Sequence, residues 1–176
     1  MVMVNNMKKI KKIVLSGIFL SIGFCLPMLT SQIKEIGDTL LPMHIPVMLC
    51  GLICGGHYGF LIGLILPFLR SLFFGMPPIY PNALWMATEL ATYGLVIGLI
   101  YSLFKNKNLK SIYISLISAM LSGRIVWGIA KTILMGIGSK SFTFALFITG
   151  GFIDALPGII LQLILIPLIM KIIIKK

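Results

Sequence analysis

The length of the uncharged apolar runs constrains this chain more than anything else in it. From Ile13 to Leu29, and again from Ala155 to Met170, there is no charged side chain. A helix of about 20 mostly apolar residues matches the hydrocarbon thickness of a bilayer. Several such runs in one short chain leave too little polar sequence to cover them in water. Composition agrees: 59% of the 176 residues are apolar and 11% charged, against roughly 45–50% and 25% in soluble domains. The chain reads as an all-α integral membrane protein.

Six membrane-crossing helices are expected, over Ile13–Leu29, Met43–Cys54, Tyr58–Phe74, Asn82–Phe104, Ile112–Met135 and Gly150–Ile174. The second is short and runs at once into Gly55 and Gly56, the pattern of a re-entrant or well-shielded helix. Residues 1–12 form a basic cytoplasmic N-terminus, and residues 13–174 a single six-helix membrane domain. Lys8, Lys9, Lys11 and Lys12 before an apolar run also resemble a secretory leader. No small-residue cleavage site closes that run and Pro27 ends it, so a retained first helix is expected.

The net charge is +11, from 15 Lys and Arg against 4 Asp and Glu. With the N-terminus cytoplasmic, Lys8, Lys9, Lys11, Lys12, Lys105, Lys107, Lys110, Lys171, Lys175 and Lys176 face the cytoplasm, and Lys34 and Lys140 alone lie outside. That asymmetry follows the positive-inside rule and puts both termini inside. It also accounts for the basic balance without nucleic acid, for which no aromatic-interleaved basic face or zinc spacing is present. Cys25, Cys50 and Cys54 all sit in apolar runs, so they read as small packing residues rather than a disulfide framework or metal site. No GxxxxGK[ST] sequence occurs, so any ATP-driven work falls to another chain. The outer loops 30–42, 75–81 and 136–149 are longer or rich in Pro and Gly and suit a lid, with Gly136, Gly138, Gly150 and Gly151 as hinge candidates.

An ionisable group at membrane depth is costly and marks function by default. Five fall there or at span ends: Arg70, Glu89, Arg124, Lys131 and Asp154. Arg124, Trp127 and Lys131 share one helical face by their spacing. With His44 the set collects toward the outer half, and a shared outward-facing pocket lined by Trp85, Trp127, Tyr80, Tyr93 and Phe73 is expected. The bland alternative pairs Arg124 with Glu89 and Arg70 with Asp154 as structural glue. Three cations against two acids favour a small anionic ligand, and the few rings near the charges disfavour a large polycyclic one.

The run Leu41-Pro42-Met43-His44-Ile45-Pro46 through Gly55, with Tyr58-Gly59 and Pro67-Phe68-Leu69-Arg70, resembles the substrate-binding S component of energy-coupling-factor (ECF) vitamin transporters. So do Gly75-Met76-Pro77-Pro78 to Pro81 and Ala87-Thr88-Glu89-Leu90-Ala91-Thr92-Tyr93-Gly94. The likeness spans about residues 10–175 and is most specific over 41–94. It implies six helices, cytoplasmic termini, and a vitamin site near the outer face built from the first, third and fifth loops and helices four to six. Carried onto this chain, the substrate-binding residues are Arg70, Tyr80, Asn82, Trp85, Glu89, Arg124, Trp127, Lys131 and Asp154. Docking on a transmembrane coupling subunit falls to Gly17 and Ser21, where the family form usually has Ala. The implied partners are that subunit, two cytoplasmic ATPases and membrane lipid, with no cofactor and no metal. Pantothenate is the first choice of vitamin, with pyridoxine or hydroxymethylpyrimidine next and riboflavin or folate among the others the family handles.

Two other classes compete. An autonomous secondary transporter or channel needs an ion path across the bilayer, whereas the inner halves of these spans carry almost no ionisable groups. A membrane enzyme needs clustered chemistry, and the expected topology puts His44 and His57 on opposite sides.

Overall fold

The structure is a computed structural model that describes residues 2–30, 41–137 and 143–174. Seven helices are described: α1 (Val2–Thr30), α2 (His44–Cys54), α3 (Gly56–Phe74), α4 (Leu84–Leu103), α5 (Leu109–Ile137), the short α6 (Phe144–Ile148) and α7 (Leu156–Ile174). No strand occurs among the described residues.

Five helical segments are long and apolar enough to cross a membrane, and α2, at 11 residues, is shorter than such a span. The expected second crossing therefore appears as a short helix, enclosed as its sequence suggested: every α2 residue but Ile53 is buried. The expected boundaries move at two more places. Helix α1 starts at Val2 and carries the basic residues 8–12 as helix. The last long helix begins at Leu156 rather than Gly150, because residues 149–153 form a wide turn in which the Asp154 amide donates to the Thr149 carbonyl at 2.9 Å. A second wide turn, Ile79–Ala83, leads into α4, its Ala83 amide donating to Pro78 O at 3.0 Å. Of the expected lid loops, residues 31–40 and 138–142 lie outside the described residues. The end of the third loop is the helix α6.

Large apolar side chains point outward. On α5, Ile117, Leu121, Ile125, Ile129 and Ile133 are exposed at every fourth position, while Ile112, Leu116, Ala119 and Trp127 are buried on the opposite side. Helix α7 repeats the pattern, with Leu156, Ile160, Ile164 and Leu168 outward. A helix apolar on all sides needs lipid on the face its neighbours leave open. The Ser and Thr residues on these helices carry little desolvation cost because they bond back one turn: Ser16 to Lys12 O, Thr92 to Thr88 O, Ser115 to Ser111 O and Thr132 to Gly128 O, all at 2.7–2.8 Å.

The core lies where α4 crosses α2, α3 and α5. Val47, Met48, Leu66, Leu90, Ile97 and Leu116 are fully or almost fully enclosed. Glycine makes the crossing possible. A Cβ on Gly59 would lie 2.7 Å from Gly94 O and 2.9 Å from Gly51 Cα, and one on Gly94 would strike Gly59. Only hydrogen side chains let these backbones meet, the small-residue packing that replaces hydrophobic drive within a bilayer. Gly55, with φ 110°, turns the chain between α2 and α3, and Gly75, with φ 68°, closes α3 as its amide bonds Ser71 O at 2.9 Å. Helix α7 packs more sparsely, mainly on α5 and α2.

Candidate functional site

Glu89 is the centre of the polar cluster. It sits on α4, one turn before Tyr93, and is 3% exposed. Its Oε1 accepts from Arg124 Nη1 at 2.9 Å and from the Tyr93 hydroxyl at 3.0 Å, and lies 3.7 Å from His44 Nε2. Three helices thus converge on one carboxylate: α2 through His44, α4 through Tyr93 and α5 through Arg124. Gly123 makes this possible next to Arg124, since a Cβ there would strike the Tyr93 ring. The His44 ring meets that of Tyr93 edge-on at 5.1 Å. A buried carboxylate needs this much compensation, because an uncovered charge in such a place costs several kcal/mol or more.

A second layer lies two turns along α5. Lys131 Nζ stands 4.6 Å from the Trp127 ring centre and 5.3 Å from that of Trp85, an ammonium held between two indoles. Arg124 covers the same Trp127 ring at 5.9 Å. The sequence spacing of Arg124, Trp127 and Lys131 therefore does translate into one shared face. Trp127 is seated by Gly150 and Gly151, where an added Cβ would be 3.4 Å from the indole. Phe147 lies 6.1 Å from it, and Phe152 stacks edge-on against Phe147. Among the described residues, Glu89 and Asp154 act electrostatically on Lys131, and Asp154 is exposed.

Of the residues expected to bind ligand, the structure brings Trp85, Glu89, Arg124, Trp127 and Lys131 together and sets Asp154 within electrostatic reach of Lys131. Tyr80, 54% exposed, donates its hydroxyl to Leu134 O at 3.3 Å and so ties the 79–83 turn to the end of α5. Asn82 lies half-buried in that turn. Arg70 is spent elsewhere: its Nη1 donates to Phe24 O at 2.9 Å and its guanidinium covers the Phe74 ring at 5.3 Å. The pairing of Arg70 with Asp154 considered above does not form: the Arg70 guanidinium is engaged by Phe24 O and the Phe74 ring. Phe73, expected in the pocket, is 72% exposed and lies edge-on to Phe24.

Two further polar side chains are buried: His44, grouped with the polar set above, and Gln162, which was not. His44 is 2% exposed, and neither ring nitrogen has a hydrogen-bond partner among the described residues. Gln162, midway along α7, is likewise 2% exposed with an unpartnered Nε2. A search restricted to ionisable groups passes over Gln162, although a lone amide within an uncharged run is itself a signal. Among the described residues, no three His, Cys, Asp or Glu side chains converge as metal ligands would.

On α1, Gly17 and Ser21 are exposed and joined, Ser21 Oγ donating to Gly17 O at 3.0 Å. A Cβ on Gly17 would meet nothing within 4 Å. Leu15, Phe19, Leu20 and Phe24 of α1 pack, partly buried, against the core.

Comparison with protein families places these features. Residues 11–170 match the model of the ECF transporter substrate-specific component. The chain belongs to this family. No curated protein and no solved structure matches it. The S component is accordingly a multi-pass membrane protein and a substrate-binding subunit of a transporter rather than an enzyme. Membership implies a small-molecule substrate and an energy-coupling module as partner, and does not favour the autonomous transporter or channel weighed above.

Proposed function

We propose that this S component captures a vitamin-sized carboxylate, pantothenate being the best fit, in an outward-facing pocket. It would deliver the ligand inward when joined to a transmembrane coupling subunit and two cytoplasmic ATPases. In this reading the helices amount to six membrane segments, α2 being the short one. Both termini face the cytoplasm and the membrane is the cell membrane, in keeping with the lysine distribution.

The observation that carries the proposal is Lys131 between Trp85 and Trp127, beside the buried Glu89–Arg124 pair. The pair neutralises itself and acts as a fixed floor. The ammonium held between indoles is a suitable receptor for a ligand carboxylate, with the two rings excluding water around it. The glycine crossing of α3 and α4 holds Glu89 and Trp85 on a rigid element, so little ordering remains to be done on binding. The exposed face of α1 around Gly17 and Ser21 is the proposed docking surface for the coupling subunit.

The test is equilibrium binding to the purified protein in mild detergent, with pantothenate, pyridoxine and hydroxymethylpyrimidine as probes. Pantothenate should bind, and Lys131→Gln should weaken it at least tenfold in a protein that still folds. Equal affinity of the wild type and Lys131→Gln would remove Lys131 from the site. Binding of pyridoxine or hydroxymethylpyrimidine in place of pantothenate would replace the substrate and keep the class.

A further inference from the structure

Helix α1 runs past the bundle. At 29 residues it is about 43 Å long, against about 30 Å of hydrocarbon in a bilayer. Residues 8–14 are all exposed, two full turns without a covered side. Contact with the bundle begins just beyond them, where Leu15 packs on the core and Ser16 Oγ lies 3.6 Å from Cys50 Sγ.

This bare stretch is sorted by face. Lys8, Lys11 and Lys12 stand at i, i+3 and i+4, and so do Ile10, Ile13 and Val14. On a helix that spacing gathers each trio on one face and sets the two faces nearly opposite. The apolar trio is 60, 52 and 57% exposed. Lysines in any order would satisfy the positive-inside rule, so topology does not account for the segregation. A lysine face opposite an apolar face is what a helix at a membrane surface carries.

Depth agrees with charge. Counted along the axis from Ile13, where the uncharged run begins, Lys12 to Lys8 lie about 2–8 Å farther out, and the headgroup layer is about 5–7 Å thick. The ammonium groups therefore reach the level of lipid phosphates. No carboxylate of the described residues answers them: Glu89 is buried against Arg124, and Asp154 acts on Lys131. We infer that the Lys8, Lys11 and Lys12 face of α1 binds the phosphate groups of anionic phospholipids and pins this end of the helix to an acidic leaflet. Each lysine at such a surface is worth about fivefold in binding, so three together give about a hundredfold. The opposite face, Ile10 and Val14, runs in line with Gly17 and Ser21, so lipid held on the lysine side leaves the proposed docking surface clear.

The test needs no vitamin and so stands apart from the proposed function. The full chain is placed in nanodiscs of mixed phosphatidylcholine and phosphatidylglycerol, and the lipids it retains on release are counted by native mass spectrometry. Wild type should keep phosphatidylglycerol in excess of its share. Lys8→Gln/Lys11→Gln/Lys12→Gln should lower that preference at least tenfold with an unchanged unfolding temperature, and the corresponding triple Arg variant should retain it, since charge at this depth is what binds. The charge-matched control Lys105→Gln/Lys107→Gln/Lys110→Gln, in the exposed α4–α5 loop, should have a smaller effect. Wild type without a preference, or a Gln variant that keeps it, overturns the inference; in the second case a fall in cellular uptake would give the face to a protein partner. An equal loss in the loop control would reduce the effect to rim charge in general and overturn it too. Displacement of the lipid by inorganic phosphate at constant ionic strength would make this a site for soluble anions, and the lipid assignment would fall.

Discussion

Replacing Arg124 by Met tests the central cluster most directly. The substitution removes the guanidinium 2.9 Å from Glu89 Oε1. The carboxylate, 3% exposed, keeps as close partners among the described residues the Tyr93 hydroxyl at 3.0 Å and the His44 ring at 3.7 Å. Breaking a buried ion pair from one side costs about 3–5 kcal/mol, most of it the penalty of the charge left behind. At roughly 2–4 °C per kcal/mol for a chain of this size, the unfolding temperature falls by about 6–20 °C. Glu89→Gln strands the equally buried Arg124 guanidinium and costs a similar amount, about 3–5 kcal/mol, even though the amide oxygen still accepts from Tyr93. The double variant Glu89→Gln/Arg124→Met carries neither charge and regains much of the loss, for a coupling of at least about 2 kcal/mol. Thermal unfolding in one detergent, followed by loss of the monodisperse species, measures all four proteins. Strictly additive losses, or single variants within 2 °C of wild type by that assay, would refute the picture of one carboxylate neutralised by one guanidinium.

Two helical glycines should respond oppositely to the same change. Gly59→Ala drives a methyl to 2.7 Å from Gly94 O, forcing α3 from α4 at a cost of about 1–3 kcal/mol, whereas Gly17→Ala meets open space and should stabilise by up to about 1 kcal/mol; thermal unfolding of both variants decides it. Gly17→Leu should leave ligand binding intact and block uptake by cells that carry the coupling module, and surviving uptake would move docking off this face of α1. Tyr80→Phe removes the 3.3 Å bond to Leu134 O at an exposed position, so stability should change by less than about 1 kcal/mol; a larger drop would mean that the 79–83 turn is held chiefly by that hydroxyl.

Much of this protein was legible along the chain because a bilayer imposes a one-dimensional rule: a helix satisfies its own backbone, so length and hydropathy alone declare the long helices. Charge at depth is rare for the same reason, which singled out Glu89, Arg124 and Lys131, and the seven-residue spacing on α5 was enough to put Arg124, Trp127 and Lys131 on one face. The resemblance to the ECF S component was likewise carried by residues readable in order. The partners of those residues depended on tertiary structure. That Glu89 collects His44 and Tyr93 as well as Arg124, and that Arg70 turns to Phe24 O rather than to Asp154, both follow from how the helices cross. Those crossings are decided by where glycines let backbones touch, at Gly59 against Gly94 and at Gly123 beneath Tyr93. Periodicity states which side of a helix a residue occupies; only the packed bundle decides what stands opposite it.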